Sequence, residues 1–282
     1  MGYDRAAFDD FLVTNNCIRI GNHYTLASGR TTRYHINLKD FDVENYKRFR
    51  QFVESFIREM IEQPELYTFV GVPFGASILG CNISEGIGSG RQTIARKKPH
   101  DRAERPVDRY FTGPNLPAPG EKIICIEDAL STGHDLVESI DQARKAGAEV
   151  KCAVVLCDRR ELPAFPGMSE NCSGGKSTKE RMESSREVKI YTMTDVHSLL
   201  PYAIKIICPE NTSLIGAILA EYSTHGADAG AYDRMVHVNE LSAGAGMAGK
   251  GGLNVYPTDK LNTRLLQRFV EKGLLTLETS PE

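Results

Sequence analysis

The sequence predicts an α/β fold, a mainly parallel sheet flanked by helices on both faces. Two observations carry that prediction. From residue 68 to residue 207, short apolar runs alternate with longer runs whose apolar residues recur every three or four positions. Several apolar runs are nearly unbroken, as in "EVKCAVVLCD" (149–158), which suits strands buried on both faces of a parallel sheet.

Taken in order, residues 4–16 read as a short amphipathic helix with Phe8, Phe11 and Leu12 on one side. In "RIGNHYTLASGR" the pair Gly21-Asn22 signals a turn between two extended runs, and "YHINL" (34–38) alternates like a strand. Residues 43–63 place Tyr46, Phe49, Val53, Phe56 and Met60 on a helical stripe that belongs in a core. "TFVGVPFG" then reads as a strand, "ASILGCNISEGI" as a helix and "RQTIARKK" as a strand running into charge. Residues 97–120 carry five prolines and read as a long loop. "KIICIED" (122–128) is a strand that ends on two acids. The helix over 134–146 turns Leu136, Val137, Ile140 and Ala143 inward and closes at Gly147. After the strand 149–158, residues 162–187 are rich in Ser, Gly, Lys and Glu without periodicity, and read as an exposed insert. "VKIYTM" returns as a strand and "DVHSLLPYAIKII" as a helix. These elements make one domain over 1–208. Residues 209–282 read as a C-terminal extension of unknown role, with a Gly/Ala-rich patch and a final helical run holding Leu261, Leu265, Leu266 and Phe269.

The net charge of −3 gives no broad basic surface for nucleic acid. No apolar run approaches the ~20 residues of a membrane span. The N-terminal "MGYDRAAFDD" has acids where a signal peptide needs positive charge. Seven scattered cysteines, with no C-x-x-C pair, read as reduced thiols of a cytoplasmic protein and lack the spacing of a zinc site.

The stretch "KIICIEDALSTGHD" raises the chemical question. Glu127 and Asp128 repel each other and resist burial, so something must compensate them. At the carboxyl end of a parallel strand they stand where ligands bind. The loop Ser131-Thr132-Gly133 offers hydroxyls and backbone N–H groups, and the helix behind it aims its positive end at the same spot. That combination fits a phosphate in the loop, with a ribose or a hydrated magnesium ion at the acids. This stretch itself has neither the G-x-x-x-x-G-K nor the G-x-G-x-x-G pattern, which points to a ribose phosphate rather than a nucleoside triphosphate.

"IICIEDALSTGHD" resembles the phosphoribosyl-pyrophosphate (PRPP) motif of type I phosphoribosyltransferases. Four further stretches resemble orotate phosphoribosyltransferases in order and spacing. They are "HYTLASGRTTRYHINL", "VGVPFGASILG", the mobile-loop stretch "ARKKPHDR" and "VVLCDRRE". The resemblance covers residues 4–207. It implies that Glu127 and Asp128 bind the ribose and magnesium side of PRPP, with magnesium carried by the substrate and no direct protein ligand. It implies that Ser131, Thr132 and Gly133 hold the 5′-phosphate. Arg96 and Lys97 would bind pyrophosphate, Lys97 or its loop reaching into a partner subunit. Arg159 would stack on or pair with orotate, and the segment from Ser28 to Tyr34 would floor the base pocket. Asp128, Lys97, His100 and Arg102 would be the catalytic group, in a homodimer with shared sites.

Several positions depart from that pattern. Ala27 and His100 stand where lysines are usual, Arg102 where a histidine is usual, and Thr32-Arg33 where Ser-Pro is usual. His134-Asp135 puts an acid beside the phosphate loop. The cations around the leaving group are therefore rearranged. The leading expectation is transfer of ribose 5-phosphate from PRPP to orotate. The alternatives are a phosphoribosyltransferase for another base and a non-catalytic PRPP-binding regulator.

Overall fold

The structure, a computed structural model, describes residues 2–26, 29–73, 75–164, 176–209, 211–227, 254–255, 264–274 and 276–277. Its centre is a six-stranded sheet of order β5-β4-β3-β6-β7-β8, parallel except for the edge strand β5. The strands are β3 (Thr68–Gly71), β4 (Gln92–Ala95), β5 (Phe111–Thr112), β6 (Lys122–Leu130), β7 (Glu149–Asp158) and β8 (Lys189–Asp195). The chain builds outward from β3 to β5, then restarts on the other side of β3 with β6. The seam between β3 and β6 is the switch point of the sheet.

Alternation along the strands feeds two cores. Ile124, Ile126, Val154 and Leu156 face one, while Ile123, Cys125, Ala153 and Val155 face the other. On the first face lie α1 (Arg5–Thr14), α2 (Val43–Met60), α3 (Ser77–Ile87) and α6 (Val196–Ile207). On the second lie α4 (His134–Lys145), through Leu136, Val137, Ile140 and Ala143, and Met182 of α5 (Thr178–Arg186). Fully buried side chains such as Phe8, Phe49 and Ile57 each contribute about 1.5–3 kcal/mol. Asp4 caps α1 by accepting the Ala6 and Ala7 N–H groups at 2.9 and 3.1 Å.

Four sequence expectations are corrected. Gly21-Asn22 is no hairpin turn: β1 (Ile18–Thr25) runs through it and pairs antiparallel with β2 (Thr31–Ile36). Ile20 faces Tyr34 and Tyr24 faces Thr32, so the pair sits in a bulge that lets β1 carry two extra residues. The 97–120 segment is more than loop, since Pro106–Arg109 form a 3₁₀ turn and β5 pairs with β4. Met60 is 37% exposed, and Ile57 takes the inward position in that turn. The exposed insert 162–187 closes on a helix, α5, with a capping box in which Ser177 and Glu180 bond each other's backbone N–H. Ser177 and Thr178 at its start are fully buried. Residues 165–175 of that insert lie outside the described residues.

The boundary expected after residue 208 falls inside packed structure. α7 (Thr212–His225) puts Ile215, Ile218, Leu219 and Tyr222 into the first core, and α8 (Arg264–Glu271) adds Leu265 and Phe269. The two-residue strands β9 (Asn254–Val255) and β10 (Thr276–Leu277) pair in parallel. The Gly/Ala-rich patch 242–252 and Leu261 lie outside the described residues. No helix among the described residues is long and apolar enough to cross a membrane.

Candidate active site

The acid pair sits where the sheet opens. β3 stops pairing with β6 at Gly71 and Ile126, while β6 continues beside β7 to Leu130. The sequence reading ended this strand on the acids; it runs two residues further because β7 reaches Asp158 and pairs that far. Glu127 and Asp128 are thus the first positions of β6 without β3 beside them. Glu127 is 7% exposed. Burial, then Asp128 beside it, push its carboxyl well above the usual carboxylate range, and Asp135 adds to the effect. Asp128 Oδ1 accepts the Ala129 N–H at 2.9 Å, and its Oδ2 lies 4.0 Å from Lys39 Nζ. The loop after β3 closes directly onto this carboxylate. A Cβ added at Gly75 would stand 1.6 Å from Asp128 Oδ2, so any larger residue there displaces the acid.

Beyond Leu130 the chain turns at Gly133, whose φ of 80° suits glycine, and enters α4. No side chain caps α4, so its first N–H groups are open to an anion. Ser131, Thr132 and Gly133 therefore form the loop that the sequence suggested. Thr178 Oγ1 of the insert lies 2.5 Å from the Ser131 carbonyl and 3.0 Å from that of Glu161.

The segment after β7 is joined to the end of β6 and to the same loop. Arg159 N–H donates to Leu130 O at 3.0 Å, and Ala164 N–H donates to Thr132 O at 3.1 Å. The Arg159 side chain is 3% exposed. Its Nε donates to Glu161 Oε1 at 2.6 Å, its Nη2 to Thr32 Oγ1 at 3.3 Å, and its guanidinium carbon lies 4.3 Å over the Tyr34 ring. Glu161 also accepts Arg30 Nη1 at 2.9 Å. Burial works against the Arg159 charge, but Tyr34, Glu161 and Tyr222 outweigh it and hold the group as a cation. Tyr34 is fully buried, so it lies beneath Arg159. Ser28 lies outside the described residues.

The basic loop divides. Lys97 bonds Asp135 in the first turn of α4, at the edge of the 131–133 loop. Arg96 Nε donates to Phe111 O at 3.2 Å. Arg96, His100 and Arg102 line one cavity of about 350 Å³, and none of residues 127–133 lines it. The structure thus brings together Glu127, Asp128, the 131–133 loop, Lys97 and the Arg159 cluster, and sets His100 and Arg102 apart.

No family model matches the chain. The orotate phosphoribosyltransferase of Sulfolobus acidocaldarius is 28% identical over 154 residues, 53% of this chain and 71% of that protein. The one from Pyrococcus horikoshii is 26% identical over 154 residues, 54% of this chain and 78% of that protein. The solved orotate phosphoribosyltransferase of Francisella tularensis superposes with a TM-score of 0.54 at 17% identity, covering 78% of this chain and 99% of that one. The Leishmania donovani UMP synthase gives 0.55 at 21% identity, over 77% of this chain and 42% of that one.

The chain is similar in sequence to curated orotate phosphoribosyltransferases and shares the fold of solved ones. The hard carboxylate oxygens of Asp128 and the crowded acid at Glu127 fit a hydrated magnesium ion, whose positive charge would relieve the pair. A second group of possible ligands, His134, Asp135 and Glu138, has its ligand atoms within 4.8 Å of one another, but Asp135 is already paired with Lys97. Sequence reasoning missed Lys39, Thr178 and Tyr222. Lys39 directly follows the motif stretch that ends at Leu38, and that adjacency was the available signal. Thr178 and Tyr222 lie outside every motif and become visible only through their contacts.

Proposed function

We propose that this protein is an orotate phosphoribosyltransferase. It transfers ribose 5-phosphate from PRPP to orotate, giving orotidine 5′-monophosphate and pyrophosphate on the route to UMP. One observation carries the reading: the Arg159 N–H bonds the carbonyl of Leu130, the last residue of the strand that carries Glu127-Asp128, and Ala164 a few residues on bonds Thr132 of the loop. In this reading the anionic-base site and the ribose-phosphate site adjoin. The curated relatives of the same name support it.

In this reading the 131–133 loop and the α4 N-terminus hold the 5′-phosphate. Asp128 and Glu127 accept from the ribose hydroxyls and face the positive charge that develops on the sugar as pyrophosphate leaves. Arg159, fixed by Glu161 and Tyr34, pairs with the carboxylate of orotate, whose ring nitrogen attacks from the face opposite the leaving group. Asp128 would hold, through water, the magnesium carried by PRPP, which would supply neutralising charge for the leaving group. Arg96 and Lys97 bind pyrophosphate, and closure of the basic loop brings His100 and Arg102 to it. No covalent nucleophile is required. The protein is proposed to work in the cytoplasm as a homodimer that shares its loops between sites.

The test is a steady-state assay with PRPP, magnesium and orotate, following orotate loss by absorbance and pyrophosphate release in parallel, for wild type and His100→Lys. Orotate-dependent release by wild type is the expected result. Release only with a different base would mean another phosphoribosyltransferase. PRPP binding without any release would mean a regulator.

A further inference from the structure

Arg159 is held in a closed ring of three residues, and one of them comes from α7. Tyr222 is 3% exposed, and its hydroxyl donates to the Arg159 carbonyl at 2.6 Å. A phenol has one hydrogen, and a carbonyl only accepts. The 2.6 Å bond between the Tyr34 and Tyr222 hydroxyls therefore has Tyr34 as its donor. The Tyr34 ring lies in turn under the Arg159 guanidinium. The backbone end and the charged end of one arginine are thus fastened to each other through two tyrosines.

α7 is fixed to this region at three further points. The Glu221 carboxylate accepts the Arg33 N–H at 2.9 Å, Ala227 N–H donates to the Arg160 carbonyl at 2.7 Å, and Gly226 bridges to Glu161. The contacts reach the two residues that follow Arg159 and the β2 side. Nothing in the 127–133 loop touches Tyr222 among its hydrogen bonds.

We propose that Tyr222 is a positioning residue for base recognition: it acts through Arg159 and sets the affinity for the anionic base, leaving PRPP affinity to the separate phosphate loop. This rests on the functional reading above, and deepens it by giving α7, beyond the stretch that carries the motifs, a part in choosing the base. Removing the Tyr222 hydroxyl opens the ring at two bonds and leaves the guanidinium free to tilt from the plane a carboxylate needs. Removing the Tyr34 hydroxyl breaks only one bond and keeps the ring beneath the guanidinium.

The experiment compares full-length wild type, Tyr222→Phe, Tyr34→Phe and the double variant, with KM for orotate and for PRPP measured separately and folding checked by thermal melting. Tyr222→Phe is expected to raise the orotate KM about tenfold and to leave the PRPP KM within about twofold. Tyr34→Phe should raise the orotate KM less, and the double variant should fall short of the product of the two effects, because both act through one ring. A variant that melts earlier but keeps the wild-type orotate KM, or one that raises both KM values alike, overturns the inference and makes Tyr222 a packing residue. Absence of orotate-dependent release by wild type overturns the functional reading itself, and this inference with it.

Discussion

The Lys97 ammonium, on the basic loop after β4, is bonded to the Asp135 carboxylate in the first turn of α4. An acid beside a phosphate loop would repel its ligand, and this contact neutralises it. The same contact holds Lys97 in its own subunit, whereas the resemblance has it reaching into a partner. Both side chains are partly exposed, at 35% and 25%, so the pair is worth about 0.2–1 kcal/mol. Asp135→Asn should free Lys97 for pyrophosphate and lower the PRPP KM about two- to fivefold. The gain should shrink as salt rises to about 0.5 M. Steady-state kinetics at two salt concentrations check this, and a raised KM would mean that Asp135 helps to place Lys97 productively.

Gly75 tests the place of Asp128. A methyl group there collides with the carboxylate, so Gly75→Ala should turn Asp128 away from the crevice. kcat/KM for PRPP should drop about 100–1000-fold, the usual cost of losing one charged contact to the transition state. Circular dichroism should show an unchanged fold. Full activity in a folded Gly75→Ala protein would remove Asp128 from the mechanism.

Thr178 joins the 131–133 loop to the segment after Arg159. Thr178→Val keeps the shape and deletes the hydroxyl, leaving the Ser131 carbonyl short of a donor. Chemical denaturation should report a loss of about 1–3 kcal/mol. The PRPP KM should rise with it, since Ser131 lies in the loop assigned to the phosphate. Unaltered stability would mean that water replaces the bond without cost.

Asp158 gives the chain a pH signature. Burial raises its pKa from an ordinary 3.8 to about 6, against the Arg160 N–H bond that lowers it. A carboxyl whose folded pKa is raised binds its proton more tightly when folded. Its contribution to stability is therefore full below pH 3.8 and is lost as pH rises through about 6. Asp158→Asn keeps an acceptor for Arg160 without the charge. It should be more stable than wild type by up to about 3 kcal/mol above pH 7, the difference vanishing near pH 4. Urea titrations at both pH values measure it, and a constant difference would mean that Asp158 does not titrate in this range.

Much of the sheet was legible because its signals are local. The strand 149–158 is apolar throughout, and α4 stops at a glycine with Lys145 in its last turn. The Glu127–Gly133 site was legible for the same reason, since one strand end and one helix start are contiguous in the chain. What failed depended on partners. β5 is two residues long and exists only because β4 offers an open edge. α5 is too polar for periodicity, yet its Ser177-x-x-Glu180 box was readable and went unread. Gly21-Asn22 looked like a turn because the sequence cannot say that Ile20 and Tyr24 face one continuous partner strand. Tyr222 belongs to no motif, and its place beside Arg159 is set by how α7 packs.

The seam between β3 and β6 has a kinetic meaning. Residues 68–112 can pair among themselves as β3, β4 and β5, and residues 122–195 as β6, β7 and β8. Among the described residues the strand pairing between these two sub-sheets is the short ladder from Thr68–Ile123 to Gly71–Ile126. Each half closes short loops, while the seam needs contacts more distant along the chain and forms at greater entropic cost. A substrate lying across Gly75, Asp128 and the 131–133 loop would then act as a rivet on the weakest joint of the sheet. Ligand occupancy should slow unfolding more than it speeds folding, and enzyme at work would outlast enzyme at rest.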